Sequence, residues 1–451
     1  MALSRLTAID ALLGFQHVIE ATWFYKARIC PSRLQESLDR FLSLQPTFAA
    51  TAWQQRPFRH PLDGWRLGHQ QAIKINHNVA VGTSLEASAA YNDPGSRYIA
   101  SFDGESVMQG HHPCMSVALT SFEGGGSALG VAISHGLVDA HGFHHAMAAW
   151  SRLHEADMEP ARELTCSRMC IDTLLKKLPL ASTGKLPASA RSDYGATSWD
   201  MTTWRASALW SLLRVLGRGG LQQRPRRALL RFSADELRAL KRRGRPAGDG
   251  ADGGWRPSTY EALAASLCGG VARLLGLPIE AKVRLHVPVN MRPYARLPRT
   301  FTGNAFHLLS SAPLCVPPHA APMWRTCLAL RELTAPLRDD PAQARCSWLE
   351  QLARLSSGYM PLERGFMAAT SIFTNFQAKL PMLGVTMGAG PPIRVVPGAG
   401  DTIHMVPAPA GAVDALINLP ALASRRSDWI AHAESVEFKA EVLDGRSNSR
   451  G

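Results

Sequence analysis

Residues 113–150 read PCMSVALTSFEGGGSALGVAISHGLVDAHGFHHAMAAW, the most strongly patterned stretch of the chain. Met115, Val117 and Leu119 alternate with smaller or polar residues, which predicts a half-buried strand. Glu123-Gly124-Gly125-Gly126 predicts a hairpin turn. Leu129 to Ile133 predicts a second, fully buried strand that delivers Ser134 and His135 at its end. Phe143, Met147, Trp150 and Leu153 recur with the 3.6 period of a helix. His135-Gly136-Leu137-Val138-Asp139 is thereby placed on the loop between a strand and a helix.

Upstream, residues 17–29 read as a strand around Trp23, Phe24 and Tyr25. Pro31 opens a helix with Leu34, Leu38, Phe41 and Leu42 on one face. Downstream, residues 180–225 are rich in Ser, Gly, Pro and Arg and read as a crossover between domains. Leu229 to Phe232 is a predicted strand. The capping boxes Ser233–Glu236 and Ser258–Glu261 each open a helix. Val283 to Val289 predicts a strand, followed by a Pro-rich turn from Arg292 to Pro298 and by Gly303-Asn304. An apolar stretch at 366–376, a Gly-rich loop at 384–390 and strands near 402–406 and 413–419 complete the pattern. Strands and helices alternate without the regular period of a doubly wound sheet, so a mixed α/β layered fold is expected.

The chain has 451 residues, 46% hydrophobic and 19% charged, an ordinary globular composition. No apolar run is long enough for a membrane span, and Met1 to Phe15 lacks the pattern of a signal peptide; its apolar spacing reads as a folded helix. Eight Cys without a Cys-x-x-Cys pair suit reduced thiols in the cytoplasm. The net charge of +13 is uneven: eleven basic residues lie between Arg214 and Arg245 against Asp235 and Glu236, a surplus of nine. No aromatic residues interleave them and no nucleic-acid-binding signature accompanies them, so no nucleic-acid partner is expected. The apolar run Ala206–Leu216 reads as a connecting helix, with a membrane-surface contact as the lesser reading.

A histidine at the end of a buried strand, beside Gly136, can take a proton from a hydroxyl or amine. Asp139 can orient that histidine or pair with a cation that shapes the loop. His141, His144 and His145 lie nearby, but no thiolate or carboxylate completes a zinc set, and His144 and His145 read as helix-surface residues; no metal is expected. Neither a Gly-x-Ser-x-Gly elbow nor a P-loop is present.

Taken together, the strand, Gly-Gly turn, strand, His-x-x-x-Asp and helix ending in Trp150 resemble the BAHD acyl-CoA-dependent acyltransferases, of the chloramphenicol acetyltransferase-like superfamily. Leu6–Asp10, Phe24-Tyr25-Lys26, Leu34–Leu42, Phe232–Lys241, Ser258–Leu263, Val289–Pro293 and Gly303-Asn304-Ala305 extend the resemblance in the same order. It implies two similar α/β domains, residues 1–180 and 229–451, joined by a 181–228 crossover and sharing a tunnel. The segment about 366–395 is expected to pack with the first domain. By the same resemblance His135 is the general base, and Asp139 turns away to pair with Arg292. Thr374 or Asn375 supplies the oxyanion donor. Lys241, Arg242 and Ser258 meet the phosphates of acyl-CoA, which serves as co-substrate with no permanently bound cofactor. Gly303, Asn304, Gly388 and Gly390 are structural. The chain departs from the family where Asp-Phe-Gly-Trp-Gly is usual: Thr386-Met387-Gly388-Ala389-Gly390 keeps only the glycines. The implied enzyme is a cytoplasmic monomer whose partners are acyl-CoA and a small-molecule acceptor. The alternatives are acyl transfer from a carrier protein, disfavoured by Ser134 where a second His is usual, and a catalytically inactive binding homologue.

Overall fold

The computed structural model describes residues 18–54, 65–89, 98–100, 102, 104–156, 199–203, 226–246, 255–274, 277–278, 281–315, 322–356, 359–363, 371–398 and 403–419. The expected N-terminal helix, the Ala206–Leu216 run and most of the crossover lie outside these residues.

The first part of the chain forms β1 (Val18–Tyr25), α1 (Pro31–Leu44), β2 (Ala50–Gln54), β3 (Trp65–Gln70), β4 (Asn76–Ala80), the short helices α2 (Leu85–Ala89) and α3 (Gly104–Met108), then β5 (Met115–Phe122), β6 (Ser127–Ser134) and α4 (Ala140–Ala156). The second part contains β7 (Trp199–Thr203), β8 (Arg226–Phe232), α5 (Ala234–Arg243), α6 (Thr259–Leu274), β9 (Lys282–Asn290) and α7 (Arg292–Ala295). It continues through β10 (Phe306–Ser310), β11 (Leu314–Cys315), α8 (Met323–Asp339), α9 (Pro341–Ser356), β12 (Tyr359–Glu363), β13 (Ser371–Phe376), β14 (Arg394–Pro397), β15 (Ile403–Pro407) and β16 (Val413–Leu419).

Two mixed sheets organise the molecule. The first has the order β14-β1-β6-β5-β4; the second runs β10-β9-β13-β15-β16-β8, with β11 also on β9. The β5–β6 hairpin is antiparallel, and its turn needs glycine, since Gly125 and Gly126 have φ of +102° and +83°. All eight residues of β6 are buried. A Cβ on Gly130 would lie 2.0 Å from the Tyr98 carbonyl oxygen, so this strand accepts only glycine there. α1 buries Leu34, Leu38, Phe41 and Leu42 as its spacing predicts, and Trp150 Nε1 donates to Ser37 Oγ at 3.1 Å, tying α4 to α1.

The C-terminal part of the chain also completes the first sheet. β14 pairs antiparallel with β1, matching Ala21 with Pro397 and Thr22 with Val396. Met382, Val385, Met387 and Val395 join the core formed by Trp23, Tyr25, Leu129, Val131 and Trp150. Trp23 Nε1 donates to Met382 O at 3.0 Å and the Tyr25 hydroxyl to Val385 O at 2.7 Å. β13, only a few residues earlier, belongs instead to the second sheet, parallel to both β9 and β15. The chain therefore crosses from one sheet to the other between Phe376 and Met382.

Part of the basic block is structural. β8 starts at Arg226, and Arg231 forms a two-pronged pair with Asp414 of β16, at 2.7 and 2.8 Å. No helix among the described residues is long and apolar enough to cross a membrane.

Candidate active site

The His135–Asp139 loop leaves the buried end of β6. Ser134 is fully buried, and its Oγ accepts from Gly136 N at 3.3 Å, which tightens the turn. Asp139 then caps α4: its Oδ1 accepts from Gly142 N at 2.8 Å. Its main partner comes from the second part of the chain. Arg292 Nη1 lies 2.8 Å from Asp139 Oδ2 and Nη2 lies 2.9 Å from Oδ1, both side chains being almost wholly buried. This is the two-pronged geometry that a guanidinium offers a carboxylate.

Each end of the pair is further satisfied. Ala305 N donates to Asp139 Oδ2 at 2.9 Å, while Arg292 Nε donates to Phe301 O at 2.8 Å and Nη2 to Gly303 O. Burial works to raise the Asp139 carboxyl, but the Arg292 charge and these hydrogen bonds outweigh it and hold the group below the usual carboxylate range. Asn304 Nδ2 donates to the His135 carbonyl oxygen at 2.8 Å. The Arg292–Ala305 loop thus clasps both ends of the histidine loop. The clasp is close: a Cβ on Gly142 would sit 1.9 Å from Thr302 O.

With Asp139 occupied, His135 is left facing a cavity of about 350 Å³ between the two sheets. β1, the His135–Asp139 loop, α4 and β14 contribute from one side, and β9, β10, β13 and β15 from the other. The walls are largely apolar, with Phe306, Leu308, Phe373 and Phe376 among them, and Asn375, Gln377 and His404 supply polar points. The His135 ring lies 6.1 Å from that of Phe306, centroid to centroid, and its Nδ1 is buried with no hydrogen-bond partner among the described residues.

The alternation of β13 separates the two oxyanion candidates. Asn375 lines the cavity, and its Nδ2 is 3.2 Å from Nε2 of His404. Thr374 is wholly buried on the other face, where its Oγ1 lies 2.8 Å from the Tyr260 hydroxyl of α6. Lys241, Arg242 and Ser258 do not line the cavity. Ser258 caps α6, its Oγ accepting from Glu261 N at 3.1 Å. Gly244, just after α5, packs so tightly that a Cβ there would lie 3.0 Å from Pro257 Cγ. The last turn of α5, with Lys241 and Arg242, is thereby brought to the start of α6. Their position at a helix C-terminus also suits the negative end of its dipole.

The reading of His144 as a helix-surface residue is corrected. Its side chain is 1% exposed, edge-on to Trp23 and Phe143. Burial, with a smaller contribution from His145, pushes its pKa down to about 3, so it is neutral. His145 is half-buried and falls to about 4, chiefly through burial and then through His141. No group of His, Cys, Asp and Glu suited to a metal ion occurs among the described residues.

Gly388 and Gly390 take φ of +69° and +77° in the divergent loop. α4 holds that loop: Ser151 Oγ accepts from Thr386 N at 2.8 Å and from Met387 N at 3.0 Å, and Glu155 Oε1 accepts from Gly388 N at 3.0 Å. Ser151 and Glu155, four residues apart on one helix face, were not singled out in the sequence, nor was His404 in the cavity wall.

A sequence profile described as the Transferase family matches residues 100–186. Rosmarinate synthase of Plectranthus scutellarioides is 24% identical over 204 residues, 45% of this chain and 42% of that protein. The matched region thus spans less than half of the relative's length. F. graminearum TRI101 complexed with coenzyme A and T-2 mycotoxin superposes with a TM-score of 0.71 at 16% identity, covering 94% of this chain and 97% of that one. The fold is that of the BAHD acyltransferases. Vinorine synthase superposes over 98% of this chain and 94% of its own, with a TM-score of 0.64 and 14% identity. The first condensation domain of the CDA synthetase reaches 0.58 at 13% identity, covering 98% and 95%. The BAHD resemblance read from the sequence and the expected mixed α/β class are borne out.

Proposed function

We propose that this protein transfers an acyl group from acyl-CoA to a hydroxyl or amine acceptor, with His135 as general base. The observation that carries the reading is that His135 faces a largely apolar cavity while Asp139, four residues on, is fully engaged by Arg292. His135 removes the acceptor proton as the acceptor lone pair adds to the thioester carbonyl. The oxyanion receives an N–H from Asn375. Collapse breaks the C–S bond, and protonated His135 returns its proton to the CoA sulfur, giving an ester or amide and free CoA. Asp139 and Arg292 hold the loop and take no part in proton transfer.

Acyl-CoA is consumed as a co-substrate, and no permanent cofactor enters the scheme. TRI101, solved with coenzyme A, supports this donor. The phosphates are assigned to Lys241 and Arg242 in the last turn of α5 and to Ser258 at the start of α6. The enzyme is read as a cytoplasmic monomer, consistent with free Cys114, Cys268 and Cys327 in its core. The direct test is a mass-spectrometric screen of acyl-CoA donors against mixed alcohols and amines. Acylated product with matching CoA release supports the proposal. Turnover only with an acylated carrier protein favours the condensation-type alternative, and no CoA release above a His135→Ala background overturns it.

Two further outcomes are expected. Asn375→Ala lowers kcat by about 100-fold or more, in the range for loss of one oxyanion donor. Thr374→Val, away from the cavity, changes kcat far less; equal losses would remove Asn375 from its role. Lys241→Glu with Arg242→Glu raises the KM for acyl-CoA and leaves kcat near wild type, an effect that shrinks with dephospho-CoA thioesters or at high salt. An unchanged KM would return these two cations to the solvated helix end.

A further inference from the structure

His404 lies in the cavity wall beside Asn375, and the sheet makes them neighbours by construction. β15 runs parallel to β13, and the register pairs Asn375 directly with His404. The ladder is continued by Gln377 N donating to Met405 O at 2.7 Å. His404 is 8% exposed, and its Nε2 stands 3.2 Å from Asn375 Nδ2. An asparagine side chain on a strand has two nearly isosteric ends, one donating and one accepting. Only the amide end can stabilise an oxyanion; the carbonyl end would repel it.

We propose that His404 is a positioning residue for Asn375. Its Nε2 accepts an N–H of the amide, which selects the nitrogen end of the side chain as the one presented to the thioester oxygen. The inference rests on the acyl-transfer reading above and adds a residue to it. His404 touches neither substrate nor the transferred proton in this scheme; it acts only through the amide.

Steady-state kinetics on the full chain test the proposal. His404→Ala lowers kcat on the order of 10- to 100-fold, the scale of a misplaced catalytic group, and leaves the KM for acyl-CoA near wild type. His404→Gln, whose Oε1 still offers an acceptor, recovers most of the rate. The Asn375→Ala/His404→Ala double variant is no slower than Asn375→Ala alone. A wild-type kcat in His404→Ala, or multiplicative losses in the double variant, overturns the proposal. A second readout needs no turnover: in protein carrying 15N-labelled histidine, Asn375→Ala shifts the His404 Nε2 resonance. An unmoved resonance overturns the hydrogen bond. Failure of the acyl-transfer reading looks different, since wild type and His135→Ala would then release CoA equally.

Discussion

His135→Ala is expected to yield a folded protein whose acyl transfer is about 10²- to 10⁴-fold slower, the usual share of a general base. Little structural stability rides on this side chain. Its ring contact is with Phe306, and its Nδ1 makes no hydrogen bond among the described residues. The bond that anchors the loop, from Asn304 Nδ2, goes to the main-chain oxygen of His135, which alanine keeps. The thermal midpoint should therefore move by only a few degrees, and the KM for acyl-CoA should hold, because no phosphate contact is assigned here. Free CoA, followed by thiol titration with donor and acceptor present, measures the rate. A variant that turns over at the wild-type rate would remove His135 from the chemistry.

Arg292→Ala is expected to have the larger structural effect. It leaves the Asp139 carboxylate buried without its cation, and breaking such a pair costs about 3–5 kcal/mol. At roughly 2–4 °C per kcal/mol for domains of 150–250 residues, the midpoint falls by roughly 6–20 °C. Activity falls with it, since the Arg292–Ala305 loop would no longer hold the His135 loop. Asp139→Asn is the complementary variant, leaving the guanidinium buried and unpaired. Its acid dependence has a definite sign. The folded pKa of Asp139 lies below its unfolded value, so the pair's contribution is complete above the ordinary carboxylate range, about pH 4, and is lost as pH falls through the folded pKa. The stability gap between wild type and Asp139→Asn should be constant near neutrality and close below about pH 4. Denaturant titrations at a series of pH values measure it; a gap that widened in acid would contradict the assignment.

Much of the site was legible because strands and helices carry their own periods. The alternation through Met115, Val117 and Leu119, the glycine turn and the 3.6-residue spacing from Phe143 to Leu153 each place one element, and together they set His135 on a loop. Both capping boxes were also readable, because the Ser–Glu reciprocity closes within four residues. His144 shows where local reading stops. A histidine inside a polar-looking run gives no hint that Trp23, about 120 positions earlier, lies against it.

The order of elements, the loop carrying His135 and the likeness to an acyltransferase family follow from local sequence, since each depends on neighbours a few residues apart. The rest comes from long-range pairing. The return of β14 to β1 gives the first sheet a strand from the far end of the chain. The strand alternation of β13 turns Asn375 into the cavity and Thr374 onto Tyr260, and the parallel register of β13 and β15 sets His404 beside Asn375. These pairings join residues separated by tens to hundreds of positions. Their choice is made by burial of two sheet faces and by the hydrogen-bond ladder, which no local pattern in the chain records.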